Sequence, residues 1–438
     1  MEAAARARVA IDGHGAAPIA GLPPGPRMPR ALQTAIWSRQ AQWFLEQSRA
    51  RFGPMFSIKI AYEGDWVVLA DPELVKRVFT GDPKVFHAGE GNQILKPILG
   101  DNSVLVLDEK EHIGQRKLLL PPFHGERMQA YGEKMTEIAA REIESWPTGV
   151  PYRLRPRMQA ITLEIIIETV FGVHERERMD PLREALRNFL DLTTNPAALL
   201  PVLLVGPDRI KHIPAFRRRI ERVDALIASE IAERRAAEDL AEREDVLSML
   251  LLARHEDGSP MSDAEIRDEL LTLLVAGHET TATALSWAME RLRAEVLDDE
   301  DAYLTATIQE TLRLRPVIVL VVRKLTEPVE LGGYELPAGA GVTPSIHLIH
   351  RDPQIYPDPD RFIPERFLDN PPGTYTWIPF GGGVRRCLGA AFAQFEMAVV
   401  LRELVRRHEV LPANPASERP YRRAITETPR HDAEVILT

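Results

Sequence analysis

The sequence predicts a mainly α-helical protein with small β-sheets, an α+β fold. Apolar residues recur at helical spacing over most of residues 72–300, which predicts packed amphipathic helices. Short apolar runs separated by turn-forming glycines and prolines occupy residues 320–346, a pattern typical of short strands. No internal repeat and no domain linker divides the chain, so we expect one large domain.

Local signals predict the elements in order. Residues 1–30 are predicted to form a flexible, Pro/Gly-rich leader, which leaves residues 31–438 as the single domain. A helix is expected up to about Phe52, and "MFSIKIAYEGDWVVLA" then predicts two strands around a turn at residues 63–65. Later signals predict a charged helix near 217–240, a proline-punctuated loop at 351–367 and a helix at 388–407.

Composition and charge narrow the class of protein. The chain has 438 residues and a formal net charge of −10, which argues against general nucleic-acid binding. No apolar run is long enough to span a membrane, and the N-terminus lacks the apolar core of a secretion signal. The single cysteine excludes an intrachain disulfide. We therefore expect a cytoplasmic protein without a membrane span.

The longest predicted helix has an unusual centre. It begins at a capping box formed by Ser262 and Glu265, and its apolar residues are nearly continuous over 270–276, as in a buried helix. Gly277 and Glu279 follow, with several threonines, although glycine and charge are both costly there. Either these polar groups bond to neighbouring backbone and to their own helix, or the helix opens beside a cavity where they handle protons.

The only cysteine, Cys387, lies in "FGGGVRRCLGAAFA", residues 380–393. A lone cysteine is usually an inert core residue, but these neighbours favour a chemical role. The glycines allow close approach of a flat group, two arginines supply charge for carboxylates, and a helix predicted to begin at Leu388 favours the thiolate. The pattern suits a cysteine-ligated metal macrocycle with acidic side arms, whereas one cysteine cannot build a Cys-rich zinc or iron–sulfur site.

The same stretch fits the motif F-x-x-G-x-R-x-C-x-G at five positions: Phe380, Gly383, Arg385, Cys387 and Gly389. This motif is the haem-binding signature of the cytochrome P-450 family, and the chain resembles the soluble bacterial members from about residue 21 to its C-terminus. Further short matches follow in the order of the family: HIGQR, AGHETT, ETLR, VVRKL and PERF. The resemblance implies the cytochrome P-450 fold, with haem between the long central helix and the helix after the cysteine loop.

The resemblance assigns cofactor roles to single residues. Cys387 is expected to bind the iron of haem b, iron protoporphyrin IX, as an axial thiolate. Phe380 is expected to pack beside the sulfur, and Gly383 and Gly389 to allow close approach of the haem. The haem propionates are expected to bind four side chains: His112, Arg116, Arg323 and Arg385. No role is assigned to Arg386.

Catalytic and structural roles follow from the other motifs. Thr280 is expected to hydrogen-bond dioxygen or its water, Glu279 to relay protons, and Gly277 to leave room above the haem. A buried structural network is expected from three further residues: Glu310, Arg313 and Arg366. The residues expected to line the substrate pocket, each of which could instead pack in the core, are Leu273, Ala276, Gly277, Val317, Ile318 and Val319. This apolar lining favours a lipophilic small molecule, such as a fatty acid, terpenoid or steroid-like compound.

The family implies a monooxygenase that inserts one atom of O2 into its substrate. Because no flavin or iron–sulfur domain is attached, electrons from NAD(P)H are expected to arrive through a separate ferredoxin and ferredoxin reductase, and the chain is expected to be a monomer. The alternatives are a peroxide-driven peroxygenase or haem isomerase of the same fold, and a haem-thiolate sensor without turnover. The pair Glu279 and Thr280 favours the monooxygenase, because the alternatives do not need it.

One segment departs from the family pattern. Glu310 follows Glu279 by only 31 positions, about ten fewer than the resemblance leads us to expect. A short helix is therefore expected to be missing or fused with its neighbour. We expect the shortening to lower thermal stability relative to a chain of normal length, and to affect local packing more than chemistry.

Overall fold

Helices make up most of the computed structural model, which describes residues 18–123, 125, 127–173, 175–194, 213–291, 301–368, 370–414 and 416–438. The α-helices in these ranges are α1 (Arg30–Phe52), α2 (Pro72–Thr80), α3 (Ala88–Gly91), α4 (Lys96–Leu99), α5 (Glu109–Leu119), α6 (Arg127–Glu144), α7 (Arg155–Ile166), α8 (Arg176–Thr194), α9 (Pro214–Ala236), α10 (Val246–Leu252), α11 (Asp263–Arg291), α12 (Asp301–Leu314), α13 (Ile346–His350) and α14 (Ala390–Arg407).

The strands are short and form small sheets. They are β1 (Ile19–Ala20), β2 (Met55–Ile60), β3 (Gly64–Leu69), β4 (Phe86–His87), β5 (Tyr152–Arg153), β6 (Arg323–Leu325), β7 (Val329–Leu331), β8 (Tyr334–Leu336), β9 (Gly341–Pro344), β10 (Val410–Pro412), β11 (Pro420–Arg423), β12 (Thr426–Pro429) and β13 (Glu434–Leu437). The largest sheet has the order β2-β3-β9-β6-β4, and its β3–β9 pair is parallel. The prediction of a mainly α fold with small sheets is confirmed.

Most predicted elements occur close to their expected bounds. The helix before Phe52 and the hairpin around residues 63–65 form as α1 and β2–β3. The helix expected at Leu388 begins at Ala390 instead, because Leu388 and Gly389 form a turn before it. A turn therefore follows the cysteine directly, and the first helical residue comes three positions after it.

The described part of the predicted leader packs against the domain. β1 pairs in parallel with β8, and the Gln33 side chain of α1 donates hydrogen bonds to the carbonyls of Pro26 and Met28. Residues 1–17 lie outside the described residues, so the division of the chain at residue 30 stays a prediction. The shortened segment after α11 likewise falls mainly on residues 292–300, which are not described.

The central helix α11 crosses the middle of the core. It begins with the predicted capping box, in which the Ser262 amide donates to Glu265 Oε2 at 2.8 Å and the Glu265 amide donates to Ser262 Oγ at 3.2 Å. One side packs with α6, α7 and α14, and the other with α8 and α9, so the helix is apolar nearly all round. No helix among the described residues has the length and apolar character needed to cross a membrane.

Candidate active site

One face of α11 is open although the helix is otherwise buried. Leu273, Gly277 and Thr280 are half-buried and Ala276 is exposed, while the other residues of this stretch are buried except the half-buried Val275. These positions are three or four residues apart and therefore form one stripe along the helix. The Thr280 hydroxyl donates to the Ala276 carbonyl at 2.5 Å. The stripe combines an apolar surface with one hydroxyl, as expected for the wall of a ligand cleft.

Glu279 lies on a different face of α11 and is engaged with α7. Its Oε1 accepts from Arg155 Nη1 at 2.9 Å, and its Oε2 accepts from Gln159 Nε2 at 2.7 Å. Arg155 also pairs with Asp432, at 2.8 Å. Burial raises the pKa of the Glu279 carboxyl, and the neighbouring Arg155 opposes that shift. The structure thus places Glu279 in a buried ion-pair network, next in sequence to the open face but not on it.

Gly277 lies where α11 approaches α7 closely. A Cβ atom at this position would come 3.2 Å from Ile166 Cδ1. This distance is tighter than most carbon contacts, so a larger residue would require the Ile166 side chain to shift. Helix packing is therefore one reason for glycine here, beside the expected need for space on the open face.

The loop before Cys387 has a backbone that requires glycine. Gly381 and Gly383 have φ angles of 67° and 65°, in the left-handed region that favours glycine. A Cβ atom on Gly383 would lie 1.9 Å from the Phe79 carbonyl oxygen, so no other residue fits without moving α2. The Cys387 amide then donates to the Phe380 carbonyl at 3.0 Å and closes the loop. These constraints fix the position of the sulfur.

The Cys387 thiol borders open space on one side of its loop. Its side chain is exposed, yet burial raises the pKa of the thiol, and this is the largest influence on it. Exposure and a raised pKa occur together when protein surrounds the thiol on most sides and one side still borders open space. The Gly389 backbone N–H, Arg116 and Arg386 act in the opposite direction and favour the thiolate. Arg386, for which the sequence suggested no role, is an exposed cation acting on the sulfur.

Gly389 and Phe380 border the sulfur on the two sides of the loop. Gly389 has an ordinary backbone conformation, with φ −84°, and a Cβ atom added to it would meet nothing within 4 Å. Protein packing therefore gives no reason for glycine, whereas a flat group lying over the sulfur would. Phe380 packs edge-on against Trp377, with ring centroids 6.0 Å apart, so it connects the loop to the core.

A cationic cluster lies beside the loop. The buried His112 is close enough to Arg385, Arg116 and Arg323 for each to lower the pKa of its imidazole, after burial, to about 3. His112 is therefore neutral and can donate one N–H. Arg385 pairs with Asp108 at 2.5 Å. Among the described residues, neither Arg116 nor Arg323 has a carboxylate within ion-pair distance.

The network expected from the E-x-x-R motif lies behind the cysteine loop. Glu310 and Arg313 are fully buried and joined by two hydrogen bonds of 2.6 and 2.8 Å, and Arg366 Nε lies 3.4 Å from Glu310 Oε1. His350, which sequence reasoning missed, extends the network. Its Nε2 accepts from the Ile378 amide at 2.8 Å, and its carbonyl accepts from Arg313 Nη1 at 2.8 Å. His350 therefore connects the buried ion pair to the start of the cysteine loop.

The candidates after α12 for the substrate pocket divide between the cleft and the core. Ile318 is half-buried, but Val317 is only 8% exposed and packs with the core beside α11. Val319 is 3% exposed and belongs to a different cluster, around Trp37 of α1. The chain bends at residues 317 and 318, so three neighbouring apolar residues contact different parts of the core and do not share one surface. On these placements, Ile318 is the residue of this segment that can contact a ligand.

These residues fit a thiolate-bound haem. The fit has three parts: a single exposed sulfur, a glycine two residues after it that packing does not require, and nearby arginines without carboxylate partners. Iron requires the thiolate, the flat macrocycle requires close backbone approach, and its two carboxylates require cations. The open stripe of α11 supplies an apolar wall that ends in a hydroxyl.

Comparison with known proteins agrees with this geometry. The family model named Cytochrome P450 matches residues 20–294 and 300–431, and the interruption between them lies in the shortened segment after α11. Cytochrome P450 135B1 of Mycobacterium tuberculosis is 44% identical over 433 residues, covering 95% of this chain and 91% of the relative. Cytochrome P450 135A1 of the same organism is 40% identical over 429 residues, covering 95% of each chain.

Solved structures share the fold. A retinoic-acid-bound cyanobacterial CYP120A1 has a TM-score of 0.81 at 23% identity, covering 97% of this chain and 100% of that chain. The haem domain of cytochrome P450DA has a TM-score of 0.78 at 22% identity, covering 97% and 98%. Since the family model and the relatives each span nearly the whole length described above, the chain belongs to the cytochrome P450 family.

Proposed function

We propose that the chain is a haem-thiolate monooxygenase that oxidises a lipophilic small molecule. The observation that carries this proposal is the sulfur of Cys387, held at the cleft wall by a glycine-dependent loop and accompanied by cations that favour the thiolate. When bound, thiolate-ligated haem supplies reductive activation of O2. One oxygen atom enters the substrate and the other leaves as water, with two electrons from NAD(P)H and two protons.

The side chains of this protein bind, orient and supply protons. Arg116 and Arg323 are available to bind the two propionates, and His112 to donate one N–H. The Thr280 hydroxyl lies on the open face of α11 and can hydrogen-bond a water in the cleft. Glu279 is the carboxyl group nearest to Thr280 in sequence. To pass a proton to the cleft, its side chain must first separate from Arg155.

The substrate and the electron donors follow from the same site. The open stripe consists of Leu273, Ala276 and Gly277 before Thr280, so it favours a lipophile of the fatty-acid, terpenoid or steroid-like kind. We expect the electrons to come from separate carriers, a ferredoxin and its reductase. A cytoplasmic location and a monomeric state remain predictions of the sequence.

One observation favours a second candidate, a peroxide-driven peroxygenase. Glu279 is held by Arg155 and Gln159 and does not lie on the open face, and peroxide-driven oxidation needs no such proton donor. The test supplies the purified protein and a candidate lipophile either with NADH and a surrogate ferredoxin and reductase, or with hydrogen peroxide alone. We expect product in the first reaction; product with peroxide only would overturn the monooxygenase.

Replacing Thr280 with alanine is expected to uncouple turnover. The hydroxyl is the polar group of the open face, so its loss removes a hydrogen-bond donor from the cleft without disturbing the helix backbone. Hydrogen peroxide released per NADH consumed should rise several-fold, measured with a peroxide probe beside product. The matched control is Thr305→Ala, which removes an equivalent bond to the Asp301 carbonyl at an exposed position of α12. Unchanged coupling in Thr280→Ala would refute the role.

Replacing Glu279 with glutamine tests whether the residue supplies protons or only stabilises the fold. Glutamine keeps the size and an acceptor for Arg155, and Arg155 keeps Asp432 as a counter-ion, so we expect the melting temperature to fall only slightly. Product formation per haem should fall about a hundredfold if Glu279 supplies protons. Gln159→Leu is the control, since it weakens the same network and leaves the carboxyl. A full rate per haem in Glu279→Gln would leave the residue with a structural role only.

A further inference from the structure

Asp108 connects three parts of the cofactor site. Its Oδ1 accepts from the Gly89 amide at 2.8 Å and from Arg385 Nη2 at 2.5 Å, and its Oδ2 accepts from the Glu90 amide at 2.8 Å. It precedes α5, but it makes no side-chain cap to that helix. The carboxylate instead joins the start of α3 to the cysteine loop, which places a fixed negative charge among the arginines.

Arg385 is committed to the segment that carries Asp108. Beside the ion pair, Arg385 Nη1 donates to the Val104 carbonyl at 3.1 Å, and Nη2 donates to the Leu107 carbonyl. Bonds to residues on one short segment hold the guanidinium in a single orientation. Arg385 therefore has less capacity for a propionate than the sequence motif suggests.

The segment itself is anchored to α11. Asp268 Oδ2 accepts from the Asn102 amide and from Asn102 Nδ2, both at 2.9 Å. Glu269 Oε1 accepts from the Val104 amide at 2.8 Å. Because both ends of residues 102–108 are bonded, Asp108 holds Arg385 against a fixed support.

For the three arginines around His112, the propionate charges are sufficient only when Asp108 is counted. Arg116, Arg323 and Arg385 bring three positive charges, and His112 is neutral. Asp108 is the carboxylate that acts on both Arg323 and Arg385. Two propionates and Asp108 together match three guanidiniums, whereas without Asp108 one buried positive charge is left unpaired, which is costly.

We propose that Asp108 is a positioning residue for the cofactor: it holds Arg385 on residues 104–108 and supplies the third negative charge, so that Arg116 and Arg323 are the main propionate partners. This inference rests on the proposed function, since it requires haem in the cleft. It changes the assignment made from the motif, in which Arg385 bound a propionate directly.

The first test is Asp108→Asn, which keeps an acceptor for one of the two backbone amides and removes the charge. Removing a fixed negative charge near the haem stabilises the ferrous state, which carries one more electron than the ferric state. The equilibrium constant for ferric-to-ferrous reduction should therefore rise about tenfold. Asp108→Glu keeps the charge and should retain the wild-type potential. Asp101→Asn is the matched control, because Asp101 is an exposed acid nearby that pairs with Lys96. If Asp108→Asn does not fold, Asp108→Ser replaces it.

The second test is a double-mutant cycle with haem loss to apomyoglobin as the readout. Arg385→Gln leaves Asp108 unpaired beside the propionates and should accelerate haem loss at least several-fold. When Asp108→Asn is added, the rate of haem loss should return most of the way to the wild-type value. A wild-type potential in Asp108→Asn, together with a double variant that loses haem as fast as Arg385→Gln, would overturn the proposal. Wild-type protein without thiolate-ligated haem would instead overturn the proposed function.

Discussion

Cys387→Ser is expected to abolish both the strongly red-shifted Soret band of the ferrous–CO complex and all oxygen insertion. Cys387 is the only cysteine of the chain, so no other thiolate can replace it. A serine oxygen is a far weaker donor to iron, and the electron density that favours O–O cleavage is lost. The measurement is the ferrous–CO spectrum together with product formation per haem.

The control for this variant lies in the same loop. Val384 is exposed, at 47%, and its side chain has no role in the cationic cluster or the glycine turns. Val384→Ala should therefore keep the red-shifted band and wild-type turnover. A Cys387→Ser protein that still gave the band, or a wild-type protein that lacked it, would contradict the assignment of the axial ligand.

Features that depend on neighbouring residues could be predicted from the sequence. The glycines, arginines and cysteine of residues 380–389 act together within ten positions, so the loop is visible as a motif. The capping box of α11 is equally local, since Ser262 and Glu265 are three residues apart. Helices and hairpins follow from periodicity and turn residues for the same reason.

Features that depend on tertiary partners could not be predicted in this way. Glu279 is tied to Arg155, 124 residues away, and no spacing in the sequence indicates that pair. Asp108 meets Arg385 across 277 residues. The surroundings of Val319 also depend on how its segment packs against α1. The residue types thus indicated a proton-handling group and a propionate cluster, while the fold decided which of them lie free in the cleft.

Loss of the buried ion pair is expected to remove both stability and cofactor. Arg313→Met leaves the fully buried Glu310 carboxyl without its main partner, with Arg366 at 3.4 Å as its remaining cation. It also leaves three backbone carbonyls without their donor, those of His350, Pro359 and Arg361. Breaking a buried pair of this kind costs about 3–5 kcal/mol, and each unsatisfied carbonyl adds to the cost.

The effect of Arg313→Met should reach the haem because of His350. The His350 carbonyl accepts from Arg313, and the His350 ring accepts from the Ile378 amide at 2.8 Å. Ile378 begins the turn that leads to Phe380 and the cysteine loop, so a displaced His350 displaces the sulfur. We expect mostly haem-free protein, measured as the ratio of haem to protein, and a lower midpoint in urea.

Lys76→Met is the control, because Lys76 belongs to an exposed pair with Glu73 at 3.8 Å that contributes about 0–0.5 kcal/mol. An Arg313→Met protein that bound haem fully and unfolded at the wild-type midpoint would show that the network does not support the cysteine loop.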